Sequence, residues 1–224
     1  DRMLDMGFVR DIEKIMKACP KTQTLFFSAT IPNAIKKLSS KYMENPKVIN
    51  AEQAVDPEKL EQYYYLTNSK LKLLVQLMKK DSDLVMIFCN TRRAVDSVAR
   101  NLQANKIMAM PIHGGFTQSQ RQKTMKRFDN STQGVLVCTD VAARGLHIED
   151  VSHVYNYDLP RDATDYTHRI GRTARAGEEG KVINLVNPKD QKMLSTIKKE
   201  YRIKKLKTPP LEPINKVKGR RRRR

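Results

Sequence analysis

The sequence predicts an α/β fold, a parallel sheet flanked by helices on both faces, and three observations predict it. Short β-rich apolar runs recur at Thr24–Phe27, Lys47–Asn50, Gln62–Leu66, Leu84–Cys89, Ile107–Ile112, Gly134–Thr139, Val151–Tyr157 and Lys181–Val186. Helical stripes lie between them. Several runs are nearly continuous in apolar residues instead of alternating, as strands covered on both sides are.

Each stripe has the period of one helical face. Leu71, Leu74, Val75 and Met78 fall at i, i+3, i+4 and i+7, and Val95, Val98, Ala99 and Leu102 repeat the pattern. Strands alternating with helices of this length make βαβ units. The charged stretch AEQAVDPEKLE at 51–61 lacks this periodicity and reads as a linker. Residues 1–50 are too few for a doubly wound domain and read as the end of one. Residues 62–200 have the size of a whole domain. Residues 201–224 read as a disordered basic tail.

Composition narrows the function. The 224 residues carry 43 Lys+Arg against 24 Asp+Glu, a net charge of +19. From Lys198 onward there are thirteen Lys/Arg and two Glu, so much of the basicity sits at the end of the chain. Such a segment repels itself and suits a polyanion, with counterion release giving sequence-independent affinity for nucleic acid. No apolar run is long enough to span a membrane. Residue 1 is Asp, and the sequence reads as a segment of a longer protein. Cys19, Cys89 and Cys138 have no metal-ligand spacing, and Cys89 and Cys138, in apolar runs, read as reduced core cysteines of a cytoplasmic protein. His113 and His153 read as structural.

The strongest local signal is His168-Arg169-Ile170-Gly171-Arg172-Thr173-Ala174-Arg175. On a helix His168, Arg172 and Arg175 share one face. Clustered guanidinium groups match phosphate oxygens bidentately and can stabilise a transferring γ-phosphoryl group; the alternative is a solvated basic face. A nucleotide hydrolase also needs a phosphate cradle, and no G-x-x-x-x-G-K-[ST] occurs. The nearest string, Gly177-Glu-Glu-Gly180-Lys181, has the wrong spacing and precedes a strand. A triphosphate would therefore be held chiefly by residues outside this sequence.

Six strings in order resemble motifs of the DEAD-box ATP-dependent RNA helicases. Asp1-Arg-Met-Leu-Asp-Met-Gly-Phe8 is similar to the last Asp of the DEAD signature and the residues after it, and Ser28-Ala-Thr30 to the SAT motif. Ile87-Phe-Cys-Asn-Thr-Arg92 resembles motif IV, and Gln118-Ser-Gln-Arg121 the QxxR motif. Thr139-Asp-Val-Ala-Ala-Arg-Gly-Leu-His147 resembles motif V, and His168–Arg175 motif VI. The resemblance spans residues 1–200. It implies a C-terminal RecA-like domain preceded by part of a second one, with the rest of the N-terminal RecA-like domain as the missing partner.

The same resemblance implies roles. Arg172 and Arg175 would be arginine fingers on ATP, with Arg169 and His147 as further ATP contacts. Thr91, Gln118, Arg121, Thr139 and Arg144 would hold the RNA sugar-phosphate chain without reading its bases. Ser28, Thr30 and His168 would couple the nucleotide to domain closure, and Asp1 would neighbour Mg²⁺. Read from residues alone, Thr30 is also a helix N-cap before Pro32. Phe88 reads either as a core residue or as a cation–π partner of these arginines. One position departs from the pattern: His147 stands where the family commonly has Asp, although some bacterial members carry His there. Two rival readings are a DNA helicase or translocase of the same superfamily, and a non-enzymatic RNA-binding scaffold.

Overall fold

The computed structural model describes residues 3, 7–20, 23–28, 31, 33–49, 60–80, 83–143, 148, 151–173 and 180–217. The chain divides into two compact units, residues 1–52 and 53–224.

In the first unit, α1 (Val9–Ala18) and α2 (Asn33–Tyr42) are the regular elements among the described residues. Lys41 of α2 donates to Glu13 Oε1 of α1, which holds the Glu13 carboxyl below and the Lys41 ammonium above their ordinary values. The strands expected at 24–27 and 47–50 are not seen: residues 24–27 and 47–49 are unpaired, and residue 50 lies outside the described residues. A strand needs a neighbour to satisfy its backbone, and no described residue of this unit supplies one. Phe27 and Ile49 are accordingly 89% and 80% exposed.

The second unit is a seven-stranded sheet with every neighbouring pair parallel. In chain order it runs β1 (Leu60–Leu66), α3 (Lys70–Met78), β2 (Leu84–Phe88), α4 (Arg92–Ala104), β3 (Ala109–Ile112) and α5 (Gln118–Asp129). It continues with β4 (Gly134–Cys138), α6 (Asp140–Ala143), β5 (His153–Asn156), α7 (Ala163–Ile170), β6 (Gly180–Val186), α8 (Gln191–Glu200) and β7 (Lys204–Leu206). Across the sheet the order is β3-β4-β2-β5-β6-β1-β7.

Both faces are covered. Leu73, Leu74, Val75 and Met78 of α3 pack with Val95, Val98, Ala99 and Leu102 of α4 against Val85, Ile87, Val135 and Val137. On the opposite face Phe128 of α5, Ala142 and Ala143 of α6, Tyr166 and Ile170 of α7 and Leu194 and Ile197 of α8 meet Met86, Phe88, Leu136 and Cys138. Successive residues of β2 and β4 thus serve opposite cores, which explains their unbroken apolar sequence. Cys89 and Cys138 are buried free thiols, raised by desolvation, and Cys19 is exposed. Among the described residues no helix is long and apolar enough to cross a membrane.

The structure departs from sequence expectation at the C-terminus. Residues 201–217 do not form a free tail: Lys204–Leu206 join the sheet beside β1, and the chain then straps across α3 and α4. Thr208 Oγ1 donates to Leu66 O, Gln76 Nε2 to Pro210 O, and Leu211 and Ile214 pack on the α3–α4 core. Asn105 clamps Asn215 through two bonds, Nδ2 to Asn215 O at 2.8 Å and Oδ1 from Asn215 N at 3.0 Å. Asn101 Oδ1 accepts from Val217 N. The lysines dominate the composition here, but Ile203, Leu211 and Ile214 recur among them and find apolar surface. Residues 218–224 of the expected tail lie outside the described residues, as do 51–59 of the expected linker; Leu60 and Glu61 belong to β1.

Asn105→Ala deletes both hydrogen bonds to the Asn215 backbone, so stability should fall by about 1 kcal/mol and Tm by roughly 2–4 °C. An unchanged thermal melt would show the strap to be incidental. Burial also pushes the Tyr157 phenol up to about 12 and raises that of Tyr166. Unfolded tyrosines ionise near pH ~10, so above that pH the unfolded state binds fewer protons and stability declines with rising pH. An ultraviolet phenolate titration should find these two tyrosines ionising only as the fold is lost.

Candidate functional site

In a parallel sheet the loops that follow the strands gather along one edge. At that edge Arg169, from the last turn of α7, is 1% exposed, and its guanidinium has an acceptor for every N–H. Asp140, just beyond β4, takes two of them, Nε to Oδ1 at 2.6 Å and Nη2 to Oδ2 at 2.9 Å. Nη2 also donates to Asn90 Oδ1 beyond β2 at 2.9 Å. Nη1 donates to Asn156 Oδ1 at the end of β5 at 2.8 Å and to Asp158 O at 2.6 Å. The group lies 5.1 Å from the centre of the Phe88 ring, so Phe88 is both core residue and cation–π partner. A guanidinium has five donors, and all five are used. In this arrangement Arg169 is an internal clamp on the loops after β2, β4 and β5.

The clamp continues across the sheet. Asn156 Nδ2 donates to Asn184 Oδ1 on β6 at 2.9 Å. Asn184 Nδ2 donates to Tyr63 O on β1 at 2.9 Å and to Tyr166 Oη at 3.3 Å, while Tyr166 Oη donates to Gln62 Oε1 at 2.8 Å. Asn156, Asn184 and Tyr166 are fully buried and Gln62 is 4% exposed. In so dry a setting each polar group needs its partner, so the chain from β1 to Arg169 holds as one unit.

Next to the clamp is a pocket lined by Phe88, Asp140, Ala143, His168, Arg169 and Arg172. The helical face drawn from His168 through Arg172 does not persist. Helix α7 stops at Ile170, Gly171 N–H bonds back to Thr167 O, and Arg172 and Thr173 tighten onto the carbonyls of Arg169 and Ile170. Gly171 is the C-cap, and the turn that follows brings Arg172 to the pocket beside His168. Both oxygens of Asp140 are engaged with Arg169, so the pocket presents cationic and imidazole groups beside a neutralised carboxylate. Such a lining suits an anion.

Residues 69–177 match the family described as helicase conserved C-terminal domain, and residues 1–38 match the DEAD/DEAH box helicase family. The chain is 42% identical over 218 residues to the ATP-dependent RNA helicase CshA of Limosilactobacillus reuteri, covering 95% of this chain and 43% of CshA. Among solved structures, the Escherichia coli DEAD-box protein SrmB, bound to regulator of ribonuclease activity A, aligns with a TM-score of 0.62. The two are 39% identical, over 66% of this chain and 90% of that one. The chain belongs to the DEAD-box helicase family. Saccharomyces cerevisiae Dbp5 bound to RNA and ADP BeF3 aligns with a TM-score of 0.77 at 28% identity, over 90% of this chain and 56% of that one. This DEAD-box chain spans less than half the length of the CshA relatives it matches.

Four further expected site residues stand at the ends of the adjacent strands β2, β3 and β4. Thr91 is the N-cap of α4, its Oγ1 accepting from Ala94 N at 3.1 Å. Gln118 is the first residue of α5, exposed, behind a capping box formed by Thr117 and Gln120. Arg121 turns its Nη2 to Ala142 O of α6 at 3.2 Å, and its Nε is buried with no hydrogen-bond partner among the described residues. Thr139 is nearly buried, and its carbonyl accepts from Ala142 and Ala143. Ser28 is exposed in the first unit. Asp1, Thr30, Arg144, His147 and Arg175 lie outside the described residues.

Sequence reasoning missed the partners of Arg169, namely Asp140, Asn90, Asn156 and Asp158. The first two were inside quoted motifs, and a signal existed. An arginine within an apolar helix stripe demands a carboxylate and neutral acceptors to be buried at all. Removing either side leaves a stranded charge, so Arg169→Gln or Asp140→Leu should cost about 3–5 kcal/mol. Arg169→Lys should not rescue, since three donors cannot replace a five-donor fork. Denaturant titrations of the three variants check this, and a Lys variant as stable as the parent would refute the fork argument.

Proposed function

We propose that this chain is part of an ATP-dependent RNA helicase, supplying the arginine fingers and half of the RNA backbone surface. The observation that carries the reading is the pocket. Arg172 and His168 stand there beside the Asp140 carboxylate already neutralised by Arg169, with Thr139 next in sequence to Asp140 and Thr91 capping the helix after β2. A site of that polarity fits the phosphates of ATP. When bound, ATP supplies the phosphoanhydride bond whose cleavage resets the protein. Arg172 and Arg175 would hold the γ-phosphate and stabilise its developing charge. His147 would approach the ribose, and Ser28, Thr30 and His168 would relay the state of the nucleotide. Arg169 positions its neighbour Arg172 and touches no ligand itself. Among the described residues no group of three or more His, Cys, Asp or Glu could hold a metal, and Asp1, the expected neighbour of Mg²⁺, is not among them.

RNA would lie along Thr91, Gln118, Arg121, Thr139 and Arg144. Hydroxyls and helix N-termini at the ends of three adjacent strands suit successive phosphates and leave the bases unread. Support comes from the relatives: CshA carries the name of an ATP-dependent RNA helicase, and the Dbp5 structure holds RNA with ADP BeF3. Closure of two RecA-like domains on ATP and RNA would separate a short duplex, and hydrolysis would release it. We place this activity in the cytoplasm.

In the intact helicase, Arg172→Gln should lower RNA-stimulated ATPase kcat by about 10³-fold while RNA affinity changes little. The isolated 224-residue chain, which has no Gly-Lys phosphate cradle, should bind RNA without hydrolysing ATP. Unaltered ATPase in the Gln variant would point to a scaffold, and stronger activation by DNA than by RNA to a DNA translocase.

A further inference from the structure

The sheet edge farthest from the pocket carries charge that the fold does not neutralise. Six of the ten residues from Lys198 to Lys207 are Lys or Arg, and one is Glu. All six basic residues are exposed, and none forms an ion pair among the described residues. The structure fixes where they stand. Lys204 pairs across from Tyr63 and Lys205 from Tyr64, so alternation sends the two lysines to opposite faces of the edge. Lys198, from the last turn of α8, places its Nζ 5.4 Å from the centre of the same Tyr64 ring, joining Lys205 on that face.

Simpler causes explain part of this. Lysines blunt an exposed edge strand, and cations suit a helix C-terminus. Neither accounts for six like charges on an edge of three strand residues and one helical turn, where mutual repulsion opposes packing them together.

We propose that the β7 edge with the end of α8 is a second RNA-backbone surface, binding phosphates independently of sequence and of ATP. Lysine ammonium groups are point charges that attract phosphate without reading bases. In the sheet order β7 lies four strands from β2 and six from β3, about 20–30 Å at ordinary strand spacing. A short strand held at Thr91 and Gln118 would not cover it, whereas RNA flanking that strand would reach it. The choice of RNA rests on the proposed RNA path along Thr91 and Gln118, and the arginine-finger reading does not enter.

The test is made on the 224-residue chain with a single-stranded oligouridylate, across a salt series. The variant Lys198→Ala/Lys204→Ala/Lys205→Ala replaces exposed side chains and leaves residues 218–224 intact. It should weaken binding about ten-fold at low salt and reduce the slope of log K against log salt by about 2. The matching triple Lys→Arg variant should restore both. Kd and slope unchanged by the Ala variant would overturn the proposal. So would polyglutamate of equal charge that binds the parent more tightly than RNA and loses that binding in the Ala variant. Arg121→Ala/Thr139→Ala, with the edge intact, tests the pocket-side RNA reading separately: losing that reading would leave the effect of the lysine variant in place.

Discussion

Taking a guanidinium out of water is tolerable only when its charge and all its donors are met, and Arg169 meets that condition with no donor to spare. Its acceptors come from the ends of β2, β4 and β5, so the loops that carry Asn90-Thr91, Thr139-Asp140 and Asp158 have one mutually consistent arrangement. Two of those loops also bear a residue assigned to ligand binding, Thr91 and Thr139. The position of Arg172 is set in turn, because the turn at Gly171 begins one residue after the helix that the clamp holds.

A second buried cation does for the other half of the sheet what Arg169 does for the first. Lys70, at the start of α3, has a side chain only 10% exposed, and its Nζ meets Asp190 Oδ2 at 2.7 Å and Tyr157 O at 3.0 Å. It thereby ties the opening of α3 to the loop after β5 and to the short 3₁₀ turn, Pro188–Asp190, after β6. The two clamps share the β5 loop. The ladder through Asn156, Asn184, Tyr166 and Gln62 runs between them inside the sheet. Rigidity at this edge is thus built from satisfied polar contacts, and the apolar cores on either face keep water from competing with them.

How much could be read from the sequence depends on how local each determinant is. Strands β2 and β4 and helices α3 and α4 were legible because a continuous run or a 3.6-residue stripe reports burial directly. Residues 24–27 have a strand's composition, but pairing is a property of neighbours and no local pattern supplies a neighbour. The face shared by His168 and Arg172 would need a helix continuing past Ile170, and the helix stops there with Gly171 in an ordinary right-handed conformation, so no local signal marks the end. Strand β7 and the strap were hidden by their lysines. Charge counting treats such a segment as soluble chain, although Ile203, Leu211 and Ile214 dock it on the two cores. Motif strings named the pocket arginines, and what sets Arg169 apart as a builder of the site is its place on the apolar stripe with Tyr166 and Ile170, outside what the motif itself states.

That distinction has a chemical basis in how the +19 net charge is distributed. Arg169 is buried because a planar fork can be matched bond for bond by carboxylate and amide oxygens. Lys198, Lys204 and Lys205 remain at the surface because a hydrated ammonium gains little from burial unless, like Lys70, it meets a carboxylate. The surface lysines are nevertheless held in place by apolar contact. Ile203 is buried on the α8 side of β7, and on the other side Leu211, Ile214 and the Asn105 clamp hold the strap that continues from it. Hydrophobic docking therefore turns a self-repelling segment into a fixed array of charge. A fixed array loses less conformational entropy on meeting a phosphate chain than a free tail of equal charge would.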